Sequence, residues 1–251
     1  MKISKIDKTE DSYIVENFIQ DKEFLSNITV LLEQEIIFGN HYKNNKPLAV
    51  FQADKIGDSY SYLRCPSIKP EILDNFTPSV DKIRTLLNDK FEVKTNIAKI
   101  LKYQNNNSLK NHADKIIDLE EGSNIYTIRF GATRPLLLIN KTTNEEILLK
   151  LPNNSMMILG WETNRHWTHG IPKISEFCEN GITYSIVLRT SVTFLHQPTM
   201  SIWGPRTNIS DICKLSKNNL IKKDPNEIIR LWGIENKMPV NLDHYKSLQM
   251  L

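Results

Sequence analysis

From residue 95 onward the chain breaks into short runs of β-forming residues separated by turns: NIAKILKY, NIYTIRF, RPLLLIN, EEILLKL, NSMMILG and the longer GITYSIVLRTSVTFL. This series constrains the fold more than any other feature, because many short strands in succession bury their apolar faces as a sandwich or a barrel. Two amphipathic helix patterns precede it. In SYIVENFIQDKEFLSNITVLLEQEIIF a short strand leads into a helix with Phe24, Ile28, Leu31 and Leu32 at helical spacing. In TPSVDKIRTLLNDKF, Thr77 is placed to cap, Pro78 to take the first helical position, and Val80, Ile83, Leu86 and Leu87 to share one face. Helices first and strands after predict an α+β, mainly β protein whose helices back one face of a β-sandwich. Residues 1–94 are then an N-terminal region packed on the core, 95–200 the core, and 201–251 a C-terminal appendage. That last stretch holds a basic segment (Lys214, Lys217, Lys222, Lys223) and the helix-like PNEIIRLWGI.

A chain of 251 residues, 40% hydrophobic and 24% charged, can bury a sizeable core without disulfides or structural metals. Its net charge of +3 leans only weakly toward an acidic partner such as nucleic acid. Cys65, Cys178 and Cys213 lie far apart and fit neither a zinc knuckle nor a disulfide framework, so a reducing, intracellular setting is expected. The opening MKISKIDKTED turns acidic where a signal peptide needs an apolar centre, and no apolar run approaches the roughly 20 residues of a membrane span. The expectation is a soluble, monomeric protein of the cytoplasm or nucleus, cellular or virus-encoded, with no membrane partner.

The stretch KNHADKIID sets His112 and Asp114 one residue apart. On a strand, residues two apart point to the same side, so imidazole and carboxylate could converge, although chance often supplies such a pair. NRHWTHGIPK offers His169 before Gly170, a residue that allows close backbone approach, while neighbouring His166 reads as solvated. Two histidines and a carboxylate on one face of a metal make the facial triad of non-haem Fe(II) oxygenases. About twenty residues past His169, Arg189 is the one arginine of an apolar, hydroxyl-bearing run. Counted by twos, Thr183, Ser185, Arg189, Ser191 and Thr193 share a face, and Ile182, Tyr184, Ile186 and Leu188 share the other. Such a face suits a small dicarboxylate, or else an arginine that meets solvent or a structural carboxylate.

H-x-D, then His-Gly-Ile-Pro-Lys about 55 residues later, then an arginine strand: in this order the sequence resembles the Fe(II)/2-oxoglutarate-dependent oxygenases, specifically their AlkB-like branch. The resemblance runs from about Tyr13 to Gly204, through SYIVENFIQDKEFLSNI, KPLAVFQADKIGDSYSYLRCPSIKP, LKYQNNNSLKNHADK, TIRFGATRPLLL and LPNNSMMILGWETNRHWTHGIPK. It implies a double-stranded β-helix core of jelly-roll or cupin type. It also implies Fe(II) on His112, Asp114 and His169, 2-oxoglutarate as cosubstrate and O2 as oxidant. Tyr103 would hydrogen-bond 2-oxoglutarate and Arg189 would hold a carboxylate of it. Two departures stand out. Leu101 occupies a position where the family usually has asparagine. The final strand carries one arginine where the family pattern R-x-[NS]-x-T-F-R has two. Read as RTSVTFL, the hydroxyl beside Arg189 is Ser191; read as TYSIVLR, it is Ser185. The first register is preferred, since a lone arginine would most usefully grip the distal carboxylate.

The implied activity is a dioxygenase, an oxidoreductase that hydroxylates or oxidatively demethylates a nucleobase in DNA or RNA and releases succinate and CO2. An alkylated or methylated nucleic acid would be the partner. Tyr60 and Tyr62 alternate so as to stack on a base, or serve as ordinary strand aromatics; Arg134 lines the substrate side or caps a strand. Trp161 and Trp167 read as core. Two alternatives remain: a 2-oxoglutarate-dependent hydroxylase of a protein or small molecule, and a non-catalytic metal-binding β-sandwich.

Overall fold

Strict alternation gives each strand two faces, and on the central strands both are buried in the structure, a computed structural model that describes residues 1–39, 46–64, 73–104, 107–173, 179–207, 209–214 and 225–247. The N-terminal part contributes β1 (Lys2–Lys5), β2 (Tyr13–Glu16), α1 (Lys22–Glu35), β3 (Leu48–Ala53), β4 (Lys55–Ile56), β5 (Ser59–Ser61) and α2 (Pro78–Phe91). Next come β6 (Ile97–Tyr103), β7 (Leu109–His112), β8 (Ile125–Gly131), β9 (Arg134–Asn140), β10 (Glu146–Leu151) and β11 (Ser155–Leu159). They are followed by α3 (Trp161–His166), β12 (Trp167–Ile171), β13 (Thr183–Arg189), β14 (Phe194–His196) and β15 (Ser201–Trp203). The C-terminal part holds α4 (Pro225–Glu235) and α5 (Leu242–Ser247).

Seven strands form a major sheet in the order β1-β2-β11-β8-β13-β6-β3, and four form a minor sheet, β10-β9-β12-β7. A third sheet, β15-β14-β5-β4, is smaller. The architecture is the expected mainly β sandwich with helices on one sheet. On β13, Tyr184, Ile186 and Leu188 face α1 and α2, in a core with Ile28, Leu32, Val80, Ile83 and Leu87. Val187 faces the second core, shared with Leu136, Leu138, Trp167 and Ile171 of the minor sheet. The residues between, Ser185 and Arg189, therefore project between the sheets, as period-two alternation requires.

The helices start where local chemistry allows. The Asp21 side chain accepts a hydrogen bond from Phe24 N at 3.0 Å and caps α1. Pro78 opens α2, but Thr77 makes no side-chain cap; its hydroxyl lies by Gln52. Leu86 is 37% exposed, so Leu87 alone completes the apolar stripe expected of both. The long strand expected across residues 181–195 is in fact two. After Arg189 the backbone leaves the sheet, because Asn96 Oδ1 accepts from Ser191 N (2.7 Å) and Asp118 O from Val192 N (2.9 Å). Pairing resumes as β14 against β5 in the third sheet.

β1, β2 and β3 are strands of the major sheet, so the N-terminal region is woven into the core and not merely laid on it. The C-terminal part docks firmly: Val240 and Tyr245 are buried with Ile116 and Ile117, and Arg165 Nε donates to Val240 O at 2.7 Å. Cys213 is exposed and free; Cys65, Cys178, Lys217, Lys222 and Lys223 lie outside the described residues. Among the described residues no helix is long and apolar enough to cross a membrane.

Beside His169 of β12, a glycine is required by packing. A Cβ at Gly170 would stand 2.4 Å from Asn111 Oδ1 and 2.7 Å from Leu109 O, on the neighbouring strand β7. Its absence lets β12 pair with β7 so that His169 lies opposite His112. Gly170→Ala should push these strands apart, lowering stability by about 1–3 kcal/mol in urea unfolding. It should also weaken metal binding, which a surface substitution of equal cost would leave intact.

Candidate metal centre and cosubstrate cavity

Among the described residues, one cluster of metal-ligating side chains stands out: His112, Asp114 and His169, whose ligand atoms all lie within 4.8 Å of one another. His112 closes β7 and His169 sits opposite it on β12, with ring centroids 4.5 Å apart. Asp114 reaches them differently from the strand alternation expected, since β7 ends at His112. Asp114 is in the following loop, held by Asn164 of α3: Asp114 N donates to Asn164 Oδ1 (2.9 Å) and Asn164 Nδ2 donates to Asp114 O (2.8 Å). Its carboxylate oxygens then lie 4.0 Å from His112 Nε2 and 3.9 Å from His169 Nε2. The Lys110 carbonyl, 2.9 Å from His112 Nδ1, holds the proton on that nitrogen and leaves Nε2 as the ligand.

Charge reinforces the geometry. Burial alone would push the Asp114 carboxyl up; Arg189, with His169, His112 and Lys99, outweighs it and holds the group well below the usual carboxylate range. Arg189 Nη2 donates to both Asp114 oxygens, at 2.7 and 2.8 Å. Burial pushes His169 down to about 3, helped by His112, and lowers His112 as well. These shifts favour two neutral imidazoles and one carboxylate, the protonation states that a metal needs. His166, as expected, stands apart, 3.7 Å from Glu162.

A cavity runs from this cluster between the sheets, lined by Lys99, Leu101 and Tyr103 of β6, Thr127 and Arg129 of β8, and Ser185, Val187 and Arg189 of β13. Ser185 Oγ points into it without a partner among the described residues. Ser191, the preferred helper, is elsewhere: its hydroxyl donates to Tyr62 O at 2.6 Å, because the chain has already turned out of the sheet. The TYSIVLR register is the one that faces the cavity.

The sequence reading overlooked Arg129. It is 2% exposed, beside the buried Tyr103, and its Nε and Nη1 meet no acceptor among the described residues. Burial lowers its pKa, with only the Tyr103 side chain opposing. The reasoning that singled out Arg189, a lone arginine inside an apolar run, applies equally to Ile125–Gly131 and would have found it. Arg134 is buried for structural reasons: Nη1 and Nη2 donate to Asn107 O and Gln104 O. Tyr60 and Tyr62 are 1% and 4% exposed, packed edge to face at 6.3 Å in the core. In this arrangement they offer no platform to a base. Trp167 is core, as expected.

The model of the 2OG-Fe(II) oxygenase superfamily matches residues 11–201, and the chain belongs to that superfamily. It is an oxidoreductase that works with Fe(II), 2-oxoglutarate and O2, and the His-Asp-His donor set fits iron. Among solved structures it is similar to one described as OsALKBH1, with a TM-score of 0.54 at 12% identity, covering 75% of this chain and 100% of that one. It is also similar to an oxidoreductase of the 2OG-Fe(II) oxygenase family from Burkholderia pseudomallei, with a TM-score of 0.47 at 10% identity over 71% and 84% of the two chains. The first likeness is one of fold. No curated protein sequence matches the chain.

Removing Arg189 leaves the Asp114 carboxylate buried without its cation. Arg189→Leu should therefore cost about 3–5 kcal/mol in denaturant unfolding of the metal-free protein at neutral pH. Adding Asp114→Asn should recover part of that loss, since the buried charge is then gone.

Proposed function

We propose that this oxygenase hydroxylates or oxidatively demethylates a nucleobase in DNA or RNA. The observation that carries the cosubstrate half of the reading is the cavity beside the His112–Asp114–His169 cluster, which is also lined by a buried arginine, Arg129, that has no carboxylate partner among the described residues. A buried guanidinium is costly until an anion meets it, and a dicarboxylate lying along the cavity would supply one. When bound, iron, 2-oxoglutarate and O2 supply the oxidation, in which the keto acid leaves as succinate and CO2 and one oxygen atom enters a substrate C–H bond.

The chain's own residues do the holding. His112, Asp114 and His169 are the iron ligands in this reading. Arg129 and Tyr103 hold the distal carboxylate, with the Ser185 hydroxyl beside them. Arg189 keeps Asp114 ionised and aimed, lining the near end of the same cavity. On an N-methyl group, the hydroxylated carbon then leaves as formaldehyde and the nitrogen is demethylated.

Support for a base as substrate comes from a second chamber, of about 200 Å³, bordered by His112, Asp114 and Arg189. This space is large enough for a ring-sized group turned out of its strand. The fold likeness to OsALKBH1 is consistent with this choice.

Purified protein with Fe(II) and 2-oxoglutarate should form succinate, and His112→Ala or Asp114→Ala should abolish it. Arg129→Leu should weaken 2-oxoglutarate about 10–100-fold, the loss of one charge-assisted contact of about 1.5–3 kcal/mol. Calorimetry with Mn(II) in place of Fe(II) would measure it. Methylated oligonucleotides should stimulate turnover more than peptides do. Iron-loaded protein that neither binds nor decarboxylates 2-oxoglutarate would overturn the assignment.

A further inference from the structure

The C-terminal part lies beyond the residues matched by the superfamily, yet it reaches the metal cluster. Asn236 Oδ1 accepts from Ala113 N at 2.9 Å, between the two ligands His112 and Asp114, and from Lys115 Nζ at 2.7 Å. Lys115 Nζ also donates to Trp232 O at 3.2 Å and stands 3.8 Å from the buried Glu235 carboxylate. Trp232 and Asn236 line the second chamber, across from Phe51, Leu63 and Leu119. These contacts, three hydrogen bonds and one ion pair, fall on Ala113 and Lys115, on either side of Asp114 and directly after His112.

We infer that this segment is a working part of the active site, with Trp232 the wall against which an uncharged planar ring of the substrate lies and Asn236 a positioning residue for the ligand loop. The inference rests on the oxygenase reading. The planar group follows from the lining: an indole and a phenyl ring border a chamber that holds one ring. Its neutrality follows from the carboxylates. Among the described residues, both carboxylates that border the chamber are engaged: Asp114 by Arg189, and Asp118 by Arg64 with Nε at 3.5 Å. Neither is left to face a cationic ring, while Lys99, Lys115 and Arg189 border the same space.

The test uses the full chain with Mn(II) and 2-oxoglutarate, without O2, and two nucleosides as probes: 3-methylthymidine, whose ring is neutral, and 1-methyladenosine, whose ring is cationic at neutral pH. Wild type should bind the first at least tenfold more tightly in calorimetry. Trp232→Ala should lose that binding about tenfold or more while keeping its affinity for 2-oxoglutarate; Trp232→Phe should stay within about threefold of wild type. Asn236→Leu should weaken Mn(II) about tenfold by electron paramagnetic resonance titration, in line with the loss of an outer partner of a metal ligand, and Asn236→Asp, which keeps the acceptor, should restore most of it. Equal affinity for both nucleosides, binding of neither, or variants that match wild type would overturn the inference while 2-oxoglutarate binding stands. Loss of 2-oxoglutarate binding in wild type itself would instead bring down the oxygenase reading on which it depends.

Discussion

Everything at this site depends on one buried carboxylate staying ionised. Asp114 is 8% exposed, and desolvation drives such a group toward its neutral form, which binds a metal poorly. The counter-charge is Arg189, and its position is demanding. It projects from β13, inside the major sheet, while Asp114 follows β7, the edge strand of the minor sheet. The pair is therefore a strut between sheets, and its 2.7 Å contact holds only while the apolar residues between them set the spacing. Packing and chemistry are one problem here. The inner core of Leu136, Leu138, Trp167, Ile171 and Val187 fixes the distance across which the ion pair must reach.

Because Arg189 is committed to the metal end, the other end of the cavity needs its own cation. The strand register shows how the fold supplies it. Arg129 on β8 is paired with Ser185, four residues from Arg189 along β13, so the two arginines are rooted about 13 Å apart at roughly 3.3 Å per residue. In the register that faces the cavity, Thr183 stands where the family pattern places its first arginine. Thr183 pairs with Gly131, which makes Arg129 its diagonal neighbour on the same face, only about 7–8 Å away. A long, forked side chain spans that offset with ease. An arginine on the adjacent strand can thus reach the same space.

Much of this was legible in the sequence, and what was not has physical reasons. The alternation on β13 separates Tyr184, Ile186 and Leu188 from Ser185 and Arg189 because a period of two is a local property of extended chain. The convergence of His112, Asp114 and His169 does not follow from strand alternation alone, because Asp114 is placed by Asn164, fifty residues away. The choice between Ser191 and Ser185 was undecidable by counting, since six residues is an even step. It is decided by Asn96 and Asp118, which pull the backbone out of the sheet after Arg189. Tyr60 and Tyr62 alternate as a stacking pair would, but pairing of β5 with β14 buries them, and strand partners far apart in sequence leave no local trace.

The same accounting explains why the end of the chain belongs to the site. A buried backbone N–H needs an acceptor, and the N–H of Ala113 lies between His112 and Asp114, whose own side chains are turned toward the cluster. No strand or turn of the sandwich takes it; Asn236 does, from beyond the residues shared with the superfamily. The sandwich fixes where the two histidines of the cluster and the cavity beside them lie, since His112, His169 and most of the cavity lining stand on paired strands. The face turned toward substrate is closed instead by a helical segment that pairs with no strand, so its side chains can vary without disturbing the sheets. Specificity can then change at Trp232 while the ion pair of Asp114 and Arg189, and the spacing on which it relies, stay as they are.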